Sequence, residues 1–191
     1  MDWGSASPGC VLWGAALPDG RAHIFDELKF QRMTVKEVAD AIREKHAGWG
    51  VTRMTVYADP ALRADTGQIG ESIGQTFARY RVPLTYPSNA RVSGWQRVHE
   101  ALSASPAGDP WLTVHPRCAY LIRTLPSMIQ SKNDPEDLDT ETDDHACDAL
   151  RYLLMGGLRP SAPRVQPAPM VPYSMAWFRA RFADRPQGVL A

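Results

Sequence analysis

The sequence predicts an α/β protein in which a mixed sheet is flanked by helices. Three observations predict it. A hairpin signal comes first: apolar runs at residues 10–17 and 21–30 flank the turn Pro18-Asp19-Gly20. Short β-rich runs then alternate with helical patterns, the order expected of strands covered by helices. Finally, 191 residues with 44% hydrophobic and 22% charged content are enough for one sizeable core plus a tail.

Residues 1–8 are short and turn-like, with Asp2 almost at the start. After the hairpin, Thr34 caps a helix and Glu37 completes a capping box. Val38, Ile42 and the stem of Lys45 mark its inner face, and Gly48 ends it. Residues 54–58 read as a buried central strand whose carboxyl end presents Asp59 before Pro60. Residues 63–70 are a loop, and 72–80 a short helix with Ile73 and Phe77 four apart. Pro83 makes residues 82–87 an edge or a strand start. Residues 89–102 form a helix carrying Arg91, Arg97 and His99 beside Trp95. Residues 111–115 form a further strand, and 118–129 a helix that Pro126 kinks or restarts. An acidic loop, 133–143, leads into the last helix, capped by Thr142 or Asp143. Ala146, Cys147, Leu150, Leu153 and Leu154 give that helix one apolar stripe.

Beyond Gly156-Gly157 the composition changes. Pro160, Pro163, Pro167, Pro169 and Pro172 predict an extended linker. The expected division is a domain over 1–158 and a Pro-rich, Arg-containing tail over 159–191. Within the tail, Met175, Trp177, Phe178 and Phe182 suit a short amphipathic helix that docks on a partner or stays disordered.

Net charge is zero, so attraction to nucleic acid must come from local patches. The three cysteines, Cys10, Cys118 and Cys147, lie far apart in apolar surroundings, which predicts buried reduced thiols and fits a reducing cytoplasm. No stretch is long and apolar enough to span a membrane, and the first residues do not form a signal peptide.

The acids carry the chemistry. Asp2, Asp59 and the Asp143/Asp144/Asp148 group stand out. Asp144 and Asp148 project from one side of a helix, where like charges cost about 0.2–0.5 kcal/mol on an exposed surface. All-carboxylate sites suit hard cations such as Mg²⁺ or Mn²⁺. Two such ions about 3.5–4 Å apart can activate water and stabilise a leaving oxygen. No Gly-x-Ser-x-Gly, His-Glu-x-x-His or Walker loop competes. Each acid also has a plain reading. Asp2 can be a frayed terminus, Asp59 a strand-ending turn, Asp148 the partner of Arg151, and the whole group a solvated helix start.

Asp2-Trp3-Gly4, Ala58-Asp59-Pro60-Ala61 and Asp144-His145-Ala146-Cys147-Asp148-Ala149-Leu150-Arg151-Tyr152 occur in an order that resembles the C-terminal nuclease domain of tailed-phage terminase large subunits. Residues 118–130 share the resemblance, which covers about 1–158. It implies a ribonuclease-H-like fold and metal-dependent endonuclease cutting of concatemeric viral DNA during packaging. It implies two Mg²⁺ or Mn²⁺ ions, with Asp2, Asp59 and Asp144 as catalytic metal ligands. Asp148 would be an outer or alternative ligand, Asp143 mainly a cap, and His145 an orienting residue. Implied partners are double-stranded DNA, the portal protein, the small terminase subunit and a terminase ATPase domain, in the host cytoplasm. The family's ATPase domain is not in this chain. Only Met1 precedes Asp2, so the strand carrying Asp2 is expected to be truncated and the isolated chain weakly active. Arg63, Arg91 and Arg97, with Arg53 and Arg117, are the candidate phosphate contacts, and 91–97 with Trp95 is the best patch. The rival readings are a resolvase- or integrase-type enzyme of the same fold and a non-catalytic packaging-assembly module.

Overall fold

The computed structural model describes residues 1–4, 7–51, 54–64, 70–104, 108–128 and 143–158. Among these the order is β1 (Gly9–Ala16), β2 (Ala22–Phe30), α1 (Val35–Gly48), β3 (Val56–Tyr57), α2 (Ile73–Arg79), β4 (Leu84–Thr85), α3 (Arg91–Leu102), β5 (Leu112–Val114), α4 (Ala119–Thr124) and α5 (His145–Gly156). Arg53 and the 159–191 tail lie outside the described residues.

The hairpin forms the centre. β1 and β2 pair antiparallel, and β5 joins β2 in parallel, giving the order β1-β2-β5. Gly20 closes the turn at φ 87°, a conformation glycine adopts without a Cβ penalty. β3 and β4 form a separate parallel pair. The first residues join the two sheets. Asp2 and Cys10 exchange main-chain hydrogen bonds of 2.9 Å, and the Met1 nitrogen donates to the Tyr57 carbonyl at 2.6 Å. The result is a mixed sheet and a parallel pair of strands, flanked by helices.

Side chains alternate across β1, because successive residues of a strand face opposite ways. Cys10 and Leu12 pack with Trp95, Leu121 and Leu150 from α3, α4 and α5, while Val11 and Trp13 pack with Val38, Ile42 and Phe77 from α1 and α2. Each fully buried Leu, Ile or Phe contributes about 1.5–3 kcal/mol. The Thr34–Glu37 capping box forms as predicted, and a second, Ser72–Gln75, starts α2. Pro126 ends α4 in a 3-10 turn over Leu125–Ser127.

Several expectations need correction. β3 is two residues long, shorter than the predicted 54–58. Asp2 is no frayed end: it is 8% exposed, because the bridge to Cys10 holds its backbone. Asp143 is not a cap, because its carboxylate turns away to accept from the Tyr120 hydroxyl and from Arg123 at 3.2 Å. Asp144 takes the cap position of α5 but makes no side-chain cap bond.

Candidate functional site

Three elements deliver the predicted acids. The first is the Met1-Asp2 segment beside β1. The second is the turn after β3, where Asp59 accepts from the Ala61 N–H at 2.8 Å and so caps a 3-10 turn. The third is the first turn of α5, which carries Asp144 and Asp148. That turn is seated firmly because Ala146, Cys147, Ala149 and Leu150 are fully buried.

Their electrostatics show which of them meet. Burial pushes Asp144 up to about 6, and the negative charges of Asp148 and Asp2 add to the rise against the pull of His145. Burial likewise raises Asp2. The hydrogen bond from His145 opposes that rise, and the charge of Asp148 supports it. Asp2, Asp144 and Asp148 therefore share one neighbourhood. The charge of Asp59 reaches the same helix at Tyr152. Burial raises the Tyr152 hydroxyl and Arg151 opposes, while the negative charges of Asp59 and Asp148 push further up. The buried Met1 nitrogen also feels Asp2, Asp59 and Asp148 together.

Two of the acids have tight partners. His145 Nδ1 stands 2.8 Å from Asp2 Oδ2, and this bond first of all raises the histidine's pKa. Arg151 Nε donates to Asp148 Oδ1 at 2.9 Å, and Arg91 approaches Asp148 Oδ2 at 3.9 Å. Among the described residues, no three His, Cys, Asp or Glu side chains stand grouped as ligands for one metal ion. His145 meets Oδ2 of Asp2 and Arg151 meets Oδ1 of Asp148, so each carboxylate has a second oxygen to offer a common cation.

Residues 1–156 match the profile of the Terminase RNaseH-like domain. The chain belongs to this family. Its fold is similar to the large terminase of a thermophilic bacteriophage, with a TM-score of 0.62, 14% identity, and coverage of 83% of this chain and 38% of that one. A structure of the same phage's large terminase in complex with ATP-gamma-S gives a TM-score of 0.60 at 14% identity, covering 80% and 37%. The g2p large terminase nuclease domain of bacteriophage SPP1, crystallised with bound Mn, gives 0.51 at 19% identity, covering 80% and 81%. The chain thus spans less than two fifths of the length of the thermophilic-phage protein. No curated protein matches it.

In this terminase domain the candidate DNA contacts do not form one patch. Arg91 and Arg97 are six residues apart on α3, which places them about 120° apart around a 3.6-residue helix. Trp95 between them is core, 3% exposed, and so offers no surface to a base. Arg91 faces Asp148, while Arg63 stacks over Tyr86 at 4.5 Å, one turn beyond Asp59. Arg117 folds back on His115, with its Nε 3.3 Å from His115 Nδ1. Sequence reading missed Asn89, whose Oδ1 accepts from the Tyr152 hydroxyl at 3.1 Å and which nothing in its local pattern marks. It gave Arg151 as the partner of Asp148, as found, but not its full burial.

Proposed function

We propose that this terminase domain is a divalent-cation-dependent endonuclease that cuts concatemeric double-stranded viral DNA during genome packaging. The observation that carries this reading is the meeting of acids where α5 reaches Asp2: His145 Nδ1 stands 2.8 Å from Asp2 Oδ2, and Asp144 and Asp148 flank that contact on the same turn. Burial and these acidic neighbours raise Asp144, and perturbed acids of this kind cluster at functional sites. The donor set is all oxygen, which fits Mg²⁺ or Mn²⁺. The Mn bound to the similarly folded SPP1 nuclease domain supports the same choice.

Asp2, Asp59 and Asp144 would hold the cations, with Asp148 beside them. When bound, two such ions supply an activated water and stabilise the leaving oxygen of a phosphodiester. The chain's own groups do the positioning. His145 orients the Asp2 carboxylate, Arg151 fixes Asp148, and the turn at Ala61 aims Asp59. Arg63 and Arg91 flank the acids and would meet phosphates, while Arg97 would touch DNA only along another face. In this reading the portal protein, the small terminase subunit and an ATPase domain are partners in the host cytoplasm.

Plasmid incubated with Mn²⁺ and either wild type or Asp59→Ala tests the reading. Cutting by wild type alone is expected. Equal cutting by both rejects the assignment, and folded wild type that neither binds Mn²⁺ nor cuts favours a non-catalytic packaging module.

A further inference from the structure

We infer that Arg151 is a positioning residue of the nuclease site: its buried guanidinium fixes Asp148, and Asn89 and Tyr152 hold the guanidinium in place. The inference rests on the endonuclease reading above.

Arg151 has no exposed surface, and a guanidinium is costly to bury unless its donors and charge are met. They are met on every side. Nε reaches Asp148 Oδ1 at 2.9 Å, and the two terminal nitrogens stand 3.5 and 3.4 Å from Asn89 Oδ1. The planar group lies over the rings of Trp95 at 5.5 Å and Tyr152 at 4.3 Å. α3 is adapted to it as well. A Cβ on Gly94 would fall 2.7 Å from Arg151 Cγ and Cδ, so only glycine lets the helix approach. Mid-helix glycine is otherwise unfavourable compared with alanine.

Apolar side chains in place of both Arg151 and Asp148 could fill this space at little loss of stability, since buried ion pairs often exchange as a whole for hydrophobic residues without penalty. What an apolar residue could not do is hold a carboxylate at the site. The next residue extends the tie. The Tyr152 hydroxyl donates to the same Asn89 oxygen at 3.1 Å. Asp148 is thus backed by a connected set of three side chains, Arg151, Asn89 and Tyr152.

A double-mutant cycle on Mn²⁺ affinity, measured by calorimetry on the full chain, tests this. Groups behind a metal ligand typically contribute 10–100-fold in affinity. Arg151→Lys removes the planar fork but keeps the charge, and it is expected to weaken Mn²⁺ binding about tenfold. In an Asp148→Asn background the same change should cost less than about twofold, because the group it acts through is gone. Full additivity, or unchanged affinity in Arg151→Lys, overturns the inference. Asn89→Ala alters an exposed residue and keeps the fold testable if Arg151→Lys does not fold. It should still unfold cooperatively and bind Mn²⁺ about tenfold more weakly, and wild-type affinity overturns the inference. Wild type that takes up no Mn²⁺ is the distinct failure of the endonuclease reading, and the positioning role falls with it.

Discussion

Two sets of acids in this molecule are treated in opposite ways. On β2, Asp26 is 7% exposed and meets Lys45 Nζ at 2.6 Å, under the rings of Trp13 and Trp49. Beside it, Glu27 accepts the main-chain N–H groups of Tyr120 and Leu121 at 2.7 and 3.1 Å, at the opening of α4. Both carboxylates are matched in charge or in donors, and both hold elements together. Around α5 the acids are gathered instead. Among the described residues His145 serves Asp2, and Arg151 and Arg91 face Asp148, while Asp144 makes no side-chain cap bond and is driven up to about 6 by burial and its acidic neighbours. Burial alone does not mark a functional acid. Gathering acids against their mutual repulsion does.

The comparison breaks most visibly if Asp59→Ala still cuts DNA. Loss of a cation ligand removes several kcal/mol of transition-state stabilisation, so plasmid cleavage with Mn²⁺ should fall at least about a hundredfold. Stability should drop by only about 1 kcal/mol, the worth of the turn cap. On the structural side, Lys45→Met leaves Asp26 buried and unmatched. Breaking a fully buried pair costs about 3–5 kcal/mol. Lys45 is 30% exposed, so water trims the expected loss in urea unfolding to about 2–3 kcal/mol. Mn²⁺ uptake should not change.

Asp144→Asn should move stability the other way. The folded carboxyl titrates near 6 against a reference of 3.8, so its charged form opposes folding at all pH values above about 6. Discounted for partial exposure, the substitution should stabilise by about 1–2 kcal/mol at pH 8. The gain should shrink as pH falls through 6 and vanish below about 4, where the carboxyl is protonated in both states. Denaturant unfolding at pH 8 and pH 4 checks this. The smallest effect belongs to Glu27→Gln, which keeps an acceptor but loses its charge. It should cost about 1 kcal/mol in urea unfolding and leave cutting intact.

What the sequence reveals is local. The hairpin, the Thr34–Glu37 box and the break at Pro126 depend on neighbours within a few residues, and all are found in place. The order of acidic motifs likewise leads to the family. What it conceals is long-range. Asp2 is held by Cys10 and by a bond from Met1 to Tyr57, 56 positions away, so its firmness cannot be read from a terminal dipeptide. Asp143 is drawn to Tyr120 across 23 positions, which local capping rules do not foresee. Arg151 read only as an i,i+3 partner of Asp148, because a fully buried arginine is the least expected fate for that side chain. Residues 91–97 do not present Trp95 to solvent, because it turns inward, as the apolar face of α3 requires.

Thermal unfolding of the full chain with and without millimolar Mn²⁺ asks directly whether the α5 acids await a cation. A site saturated at about a hundred times its Kd stabilises by about 2.7 kcal/mol, so wild type should gain about 5–10 °C in Tm. Asp144→Asn should start higher without metal and gain less than half as much. A folded wild type whose Tm ignores Mn²⁺, with Asp144→Asn no more stable than wild type, would contradict the reading of these acids as a cation site.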